Sequence, residues 1–327
     1  MLAVKIIGLA QYLPRDVVYS HDLDKQLGLP PETVQMKSGL ISRHFANPEE
    51  TTSYMAAQAA LRALSNAQCS LNDIDVIISA CGAPEQLIPC TAALVQKQLG
   101  LEHSGIPSFD INSTCLSFLT ALDTVAYLIA GGRYQRALIV ASDIPSLGLN
   151  WSDMETCTIF GDGAAACIVE KSDGTSKILA SHMETYSSGV DYCHVEAGGT
   201  RIPPAKPFDH RLGLFQMDGK KVFKLASQLV ITSMQQVFAK ARVTLNDIDW
   251  VVPHQASLLA MHHLRKRLGI PEEKLVNIYA THGNQMAASI PSALAHHVNN
   301  KKIKRGQLVY LVGTGAGISA AGMIMEY

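Results

Sequence analysis

The sequence predicts an α/β fold made of two related halves, and three observations carry that expectation. First, a pentapeptide recurs, as Leu71-Asn72-Asp73-Ile74-Asp75 and Leu245-Asn246-Asp247-Ile248-Asp249. Each copy follows a helical segment, around Tyr54–Ser65 or Val222–Ala241. Each precedes an apolar run, Val76-Ile77-Ile78 or Trp250-Val251-Val252. Second, further matches follow in order. Leu99-Gly100-Leu101 answers Leu268-Gly269-Ile270, a shift of 268 − 99 = 169, and at a shift of 170 Leu138-Ile139 meets Leu308-Val309. Matches in series at near-constant spacing mark a duplication. Third, short β-rich runs alternate with helical segments, the pattern of a helix-covered sheet.

The elements follow in chain order. Met1–Pro14 is apolar but broken by Lys5 and has no basic lead-in, so it reads as a strand and not as a signal peptide. Val76–Ser79, Ala137–Val140, Ala166–Val169, Leu308–Val312 and Met323–Met325 are apolar on both faces, as strands buried between helical layers are. Leu116–Ala130 is apolar nearly all round and stops at Gly131-Gly132, which predicts a central buried helix. Ser187–Gly219 holds Pro203, Pro204, Pro207 and five glycines with little periodicity. It reads as a long excursion between the halves, and excursions of that length are usually functional or covered by a partner. The halves are placed at residues 1–172 and 173–327, with the excursion 187–219 in the second.

Composition narrows the class. Of the 327 residues 47% are hydrophobic and 17% charged, against roughly 25% charged in an average soluble protein. That balance predicts much buried surface and a large subunit interface. A net charge of −1 argues against a nucleic-acid or anionic-membrane surface built on bulk charge. No apolar run approaches the roughly 20 residues of a membrane span. The cysteines, Cys69, Cys81, Cys90, Cys115, Cys157, Cys167 and Cys193, are odd in number and lack CxxC spacing. Neither a disulfide framework nor a metal site is expected, and a reducing cytoplasm is the expected location.

One cysteine stands in a reactive context. Asp110-Ile111-Asn112-Ser113-Thr114-Cys115 leads into the helix Leu116–Ala130, with Asn112, Ser113 and Thr114 as candidate N-caps. Cys115 is therefore expected in the first helical turn, where unsatisfied N–H groups and the helix dipole favour a thiolate. Most free cysteines are merely small buried hydrophobes, and the other six keep that reading. A nucleophile needs partners. Val251-Val252-Pro253-His254-Gln255-Ala256 places His254 just past a strand. The repeat sets Asn284, in Gly283-Asn284-Gln285-Met286-Ala287-Ala288-Ser289-Ile290-Pro291, at the station that Cys115 holds in the first half. Histidine and asparagine are neutral donors suited to an enolate oxygen. Their plainer roles are a satisfied core histidine and a helix N-cap.

Two glycine-rich stretches differ in meaning. Gly313-Thr314-Gly315-Ala316-Gly317 follows a strand and can offer a backbone N–H to an oxyanion. Gly161-Asp162-Gly163-Ala164-Ala165-Ala166 nominally fits a dinucleotide fingerprint, but it runs into a strand and not a helix, so the mechanical basis of that motif is missing. His262-His263 and His296-His297 have no ligand spacing and read as surface residues.

Together these residues resemble the thiolase superfamily and, within it, the ketoacyl-ACP synthase III family. The resemblance spans nearly the whole chain. It rests on the Cys115 turn, Ile159-Phe160-Gly161-Asp162-Gly163-Ala164, Val252-Pro253-His254-Gln255-Ala256, Gly283-Asn284 with Ala287-Ala288-Ser289-Ile290-Pro291, and Gly313–Gly317. It implies a five-layered αβαβα sandwich of two duplicated halves, usually a homodimer. It implies that Cys115, His254 and Asn284 are catalytic, with an oxyanion hole from the N–H groups of Cys115 and of the Gly315–Gly317 loop, Gly315 and Gly317 included. The reaction implied is acylation of Cys115 from a thioester, then decarboxylative condensation with a malonyl thioester on acyl carrier protein. No cofactor beyond those thioester substrates is implied.

The sequence departs from the family at its donor contacts. Thr33 stands where many members have a tryptophan that stacks on adenine; Met154 and Leu259 replace arginines. Lys37 and Lys224 keep basic character, and Arg265, Lys266 and Arg267 could add to a carrier-binding patch. Ile88 stands near a position that shapes the acyl pocket. Acyl transfer from Cys115 to an oxygen or nitrogen acceptor remains an alternative, with His254 as general base. A nucleotide-dependent oxidoreductase and a silent scaffold are further readings. The strand after Gly161 argues against the first, and the complete Cys115, His254 and Asn284 set against the second.

Overall fold

The repeated pentapeptide builds the same turn twice. The Asp73 carboxylate accepts the Ser70 N–H at 2.8 Å, and the Asp247 carboxylate accepts the Thr244 N–H at 2.7 Å. Each N-cap hydroxyl donates to the same carboxylate at 2.8 Å, completing a capping box. The second aspartate then ties the next strands together. Asp75 accepts N–H bonds from Gln135 and Arg136 at 2.7 and 2.8 Å, and Asp249 accepts that of Leu308 at 2.8 Å.

The computed structural model describes all 327 residues. In chain order the strands are β1 (Val4–Tyr12), β2 (Asp16–Tyr19), β3 (Ser42–Phe45), β4 (Val76–Ser79), β5 (Ser108–Asp110), β6 (Arg136–Asp143), β7 (Gly163–Lys171), β8 (Lys177–Thr185), β9 (Cys193–His194), β10 (Gln216–Met217), β11 (Trp250–Pro253), β12 (Leu308–Gly315) and β13 (Ser319–Glu326). The helices are α1 (Ser20–Gln26), α2 (Thr33–Ser38), α3 (Thr52–Ala67), α4 (Thr91–Gln98), α5 (Ser117–Ala130), α6 (Gly219–Ala241), α7 (Leu258–Leu268), α8 (Tyr279–His282) and α9 (Ser289–Asn299).

Two sheets repeat one topology. The first has the order β1-β7-β6-β4-β5 and the second β11-β12-β13-β8. In the first, β4 runs parallel to β6, β6 antiparallel to β7, and β7 antiparallel to β1. In the second, β11 runs parallel to β12, β12 antiparallel to β13, and β13 antiparallel to β8. Helix α3 covers the outer face of the first sheet and α6 that of the second, while α5 and α9 touch both sheets. The result is the five-layered αβαβα sandwich.

The middle layer holds the largest core cluster. Phe118, Leu119, Leu122, Val125 and Ile129 of α5 pack there with Ile290 and Leu294 of α9 and strand residues of both sheets. Burying each such side chain contributes about 1.5–3 kcal/mol. The all-round burial expected of α5 fails at Tyr127, 62% exposed on a face the chain leaves uncovered. The excursion 187–219 contains the antiparallel pair β9–β10 and ends where α6 begins. No helix is long and apolar enough to cross a membrane.

Candidate active site

The turn between β5 and α5 presents Cys115. Thr114 adopts φ 53°, a left-handed conformation sparsely used by β-branched residues. Asn112 Oδ1 accepts the Thr114 N–H at 2.9 Å. The Ser117 hydroxyl accepts the Ser113 N–H at 2.9 Å and donates to the Thr114 carbonyl at 2.6 Å. Those bonds delay the helix to Ser117, so its N-cap is Leu116 and not Asn112, Ser113 or Thr114. Cys115 thus precedes the first helical turn. The expected thiolate is not favoured either. Burial pushes the Cys115 thiol well above its usual range, and the N–H groups of Cys115 and Ala316, which face the sulfur, oppose that shift without overcoming it.

His254 follows β11, and its N–H donates to the Val312 carbonyl at 2.8 Å. The ring is 7% exposed, and burial pulls its pKa down to about 4. Nδ1 lies 2.5 Å from the Ser289 hydroxyl, which also accepts the Gln255 N–H at 3.4 Å. When the hydroxyl donates its hydrogen to Nδ1, the proton of the neutral ring lies on Nε2. Gln255 is fully buried. Its amide donates to the carbonyls of Pro253 and Val276 and accepts from the Ile278 N–H.

Asn284 is oriented as firmly. Its Oδ1 accepts the Met286 N–H at 2.9 Å, and Nδ2 donates to the Ala256 carbonyl at 3.2 Å, which leaves one amide hydrogen for a ligand. The loop rests on the segment that only nominally matched a dinucleotide fingerprint. Asn284 N–H donates to the Ile159 carbonyl at 2.9 Å, and Gly161 N–H to the Asn284 carbonyl at 3.2 Å. A Cβ on Gly161 would lie 2.2 Å from the His282 carbonyl oxygen, so only glycine permits this approach. Those glycines therefore serve the Asn284 loop.

The segment Gly313–Gly317 spans the end of β12 and the turn into β13. Gly315 and Gly317 both line the pocket, yet the N–H facing Cys115 Sγ belongs to Ala316, between them. Gly315 is needed because a Cβ there would come within 2.7 Å of Thr114 Oγ1.

Cys115, His254 and Asn284 converge on one pocket of about 1170 Å³, above the roughly 300–1,000 Å³ typical of small-molecule sites. Its wall is mostly apolar, with Phe160, Phe215, Phe223 and Val230 among its members. Lys37, Met154 and Leu259 also line it. Lys224, Arg265, Lys266, Arg267 and Thr33 do not. Arg265 pairs with Glu272 at 3.5 Å, and Lys266 and Arg267 lie exposed in the last turn of α7. Ile88 is 85% exposed and outside the pocket of its own chain. Two of the presumed surface histidines are not on the surface. His263 turns against Phe223, ring centroids 4.5 Å apart, and lines the pocket. His297 is 6% exposed and packs edge-on against Trp250.

Sequence reasoning missed the supports. Asp143, 1% exposed at the end of β6, accepts N–H bonds from Gly82, Ala83 and Ala287 at 2.8, 3.1 and 3.0 Å. It thereby joins the first sheet to the Asn284 loop. Only its place at the end of an apolar strand hinted at that role.

Family comparison agrees with this architecture. Residues 109–187 match the model of 3-oxoacyl-[acyl-carrier-protein (ACP)] synthase III, and residues 238–327 match that of its C-terminal part. The chain is 35% identical to the β-ketoacyl-[acyl-carrier-protein] synthase III of a Chelativorans species and 36% identical to that of Neisseria gonorrhoeae, with all of each chain covered. The crystal structure of 3-oxoacyl-[acyl-carrier-protein] synthase III from Aquifex aeolicus superposes with a TM-score of 0.90 at 35% identity, over 99% of this chain and 100% of that one. By sequence over its full length, and by a fold that repeats one sheet topology around a shared pocket, the chain belongs to the 3-oxoacyl-[acyl-carrier-protein] synthase III family.

Proposed function

We propose that this chain catalyses decarboxylative condensation of an acyl thioester with a malonyl thioester, acting in the cytoplasm on substrates borne by acyl carrier protein. The observation that carries this reading is the convergence of Cys115, His254 and Asn284 on one apolar pocket with the Ala316 N–H at the sulfur. Cys115 Sγ attacks the acyl carbonyl, and the thiol proton leaves with the carrier thiol. The malonyl thioester then loses carbon dioxide. Its enolate oxygen is held by His254 Nε2–H and the free amide hydrogen of Asn284. The enolate carbon attacks the acyl carbonyl, and the tetrahedral oxyanion rests on the N–H groups of Cys115 and Ala316. Collapse releases the β-ketoacyl product and the Cys115 thiolate, which takes a proton from water to restore the thiol. No cofactor is needed, since both substrates are thioesters.

The competing transfer to oxygen or nitrogen needs His254 as a base. A ring held near pKa 4 by burial is a poor one and a good neutral donor. A homodimer accompanies the reading. Leu87, Ile88 and Leu147 are 65%, 85% and 79% exposed, the kind of apolar surface a second copy covers. Ile88 could then reach an acyl group only across that interface.

Intact-protein mass spectrometry after incubation with acyl-carrier and acyl-CoA thioesters tests the reading. A single acyl adduct should appear and vanish in Cys115→Ala. In His254→Ala and Asn284→Ala the adduct should persist while malonyl decarboxylation falls. An undiminished adduct in Cys115→Ala overturns the proposal.

A further inference from the structure

The pocket is apolar along most of its wall, but three charged side chains also line it: Lys37, Lys220 and Glu155. Glu155 is the sole carboxylate among them. Its carboxylate lies close to one backbone neighbour. A Cβ on Gly219, the first residue of α6, would lie 1.8 Å from Glu155 Oε1, so the carboxylate rests directly against that glycine. No salt bridge involves Glu155, Lys37 or Lys220; the nearby pair is Lys221 with Asp218 at 2.9 Å. Glu155 is solvent-exposed, so its charge is felt where the pocket opens and not at the sulfur. Lys37 and Lys220 line the same pocket, so Glu155 offsets part of a cationic lining and does not stand alone.

A thioester that reaches Cys115 must carry its handle past this mouth. The handles differ in charge. A coenzyme A thioester brings a pyrophosphate and a ribose phosphate, whereas a carrier-borne arm brings one phosphodiester. The two lysines attract the more highly charged handle more, and the Glu155 carboxylate counters that pull, most strongly for the polyanion, where the mouth is partly walled by protein.

We propose that Glu155 is a donor-selectivity residue, which disfavours nucleotide thioesters relative to carrier-borne ones by charge repulsion at the pocket mouth. This rests on the reading of Cys115 as the acylated nucleophile. Glu155 touches no reacting atom. It acts on donor binding and leaves the later condensation step alone.

The experiment compares kcat/KM for Cys115 loading with one acyl group on three handles: coenzyme A, acyl carrier protein and uncharged N-acetylcysteamine. The proteins are the wild type, Glu155→Gln and Glu155→Lys. Neutralising the residue should raise loading from coenzyme A roughly three- to tenfold. Glu155→Lys should raise it further, and both gains should shrink in high salt. Loading from N-acetylcysteamine should stay within about twofold, because a neutral handle feels little of the charge. Equal changes on all three handles would reveal a packing effect against Gly219 and overturn the proposal, as would an unchanged coenzyme A rate. The two readings fail separately. If the wild-type protein forms no Cys115 adduct from any handle, the parent function fails and the selectivity role with it. If adducts form but the ratio between handles ignores residue 155, only the selectivity role fails.

Discussion

The Ser289 hydroxyl sits 2.5 Å from Nδ1 of His254, joining the first residue of α9 to the residue that follows β11. A Ser289 hydroxyl that donates to Nδ1 keeps the imidazole proton on Nε2. Ser289→Ala should therefore free the ring to take the other tautomer and leave Nδ1 without a partner. An unmet buried partner costs about 1–3 kcal/mol, so malonyl decarboxylation should fall roughly tenfold or more. Acylation of Cys115 should change much less. Parallel loss of both steps would show that Ser289 supports the pocket as a whole and does not set the tautomer.

The two chemical steps should differ in pH dependence. His254 is held near pKa 4, so it stays neutral from about pH 5.5 upward and decarboxylation should not follow its ionisation there. Burial raises the Cys115 thiol, so its alkylation by iodoacetamide should keep climbing through pH 9. Rates of labelling between pH 6 and 9.5 test this. A plateau below pH 7 would mean that the sulfur is already a thiolate at neutrality.

Much of the architecture was legible because duplication leaves a trace at both levels. The pentapeptide at Leu71 and Leu245 makes the same capping box and the same strand tether, so its recurrence reported a repeated structure. Cys115, His254 and Asn284 were visible for a related reason: each follows a strand or opens toward a central helix. What stayed hidden depends on contacts between distant segments. The true start of α5 turns on where the Ser117 hydroxyl points. Which of three consecutive N–H groups meets the sulfur depends on the backbone path through Gly315–Gly317, and the answer is Ala316. Glu155 gains its place only by packing on Gly219, and His263 only by turning against Phe223.

Gly161 should be intolerant of even one methyl group. The added carbon would lie 2.2 Å from the His282 carbonyl oxygen and 3.1 Å from Arg43 Cβ, neither of which is a flexible side-chain tip. Gly161→Ala should cost about 1–3 kcal/mol by overpacking. It should also displace Asn284, whose backbone bonds to Ile159 and Gly161 hold the loop. Decarboxylation should then fall further than Cys115 loading. A variant with wild-type thermal stability and a wild-type ratio of the two steps would contradict this account of the motif.

Asp143 should counter the acid sensitivity of the buried histidines. Burial raises its pKa to about 7, against about 3.9 in an unfolded chain. Between those values the folded protein holds a proton that the unfolded chain has lost. Its stabilising contribution is therefore complete below about pH 4 and disappears as pH rises through 7. His254, His282 and His297 act in the opposite sense. Each is lowered to about 4 by burial, so the stability tied to their neutral forms is present above about pH 6.5 and lost as pH falls toward 4. From pH 7.5 to 5 the histidines thus weaken the fold and Asp143 offsets part of that loss. Asn at this position cannot take up a proton there. Asp143→Asn should then lose more stability over this interval than the wild type, whatever its stability at pH 7.5, because a constant packing cost cancels in the difference. Urea midpoints at the two pH values measure it. An equal or smaller acid loss in the variant would show that Asp143 stays ionised, held so by the N–H groups of Gly82, Ala83 and Ala287.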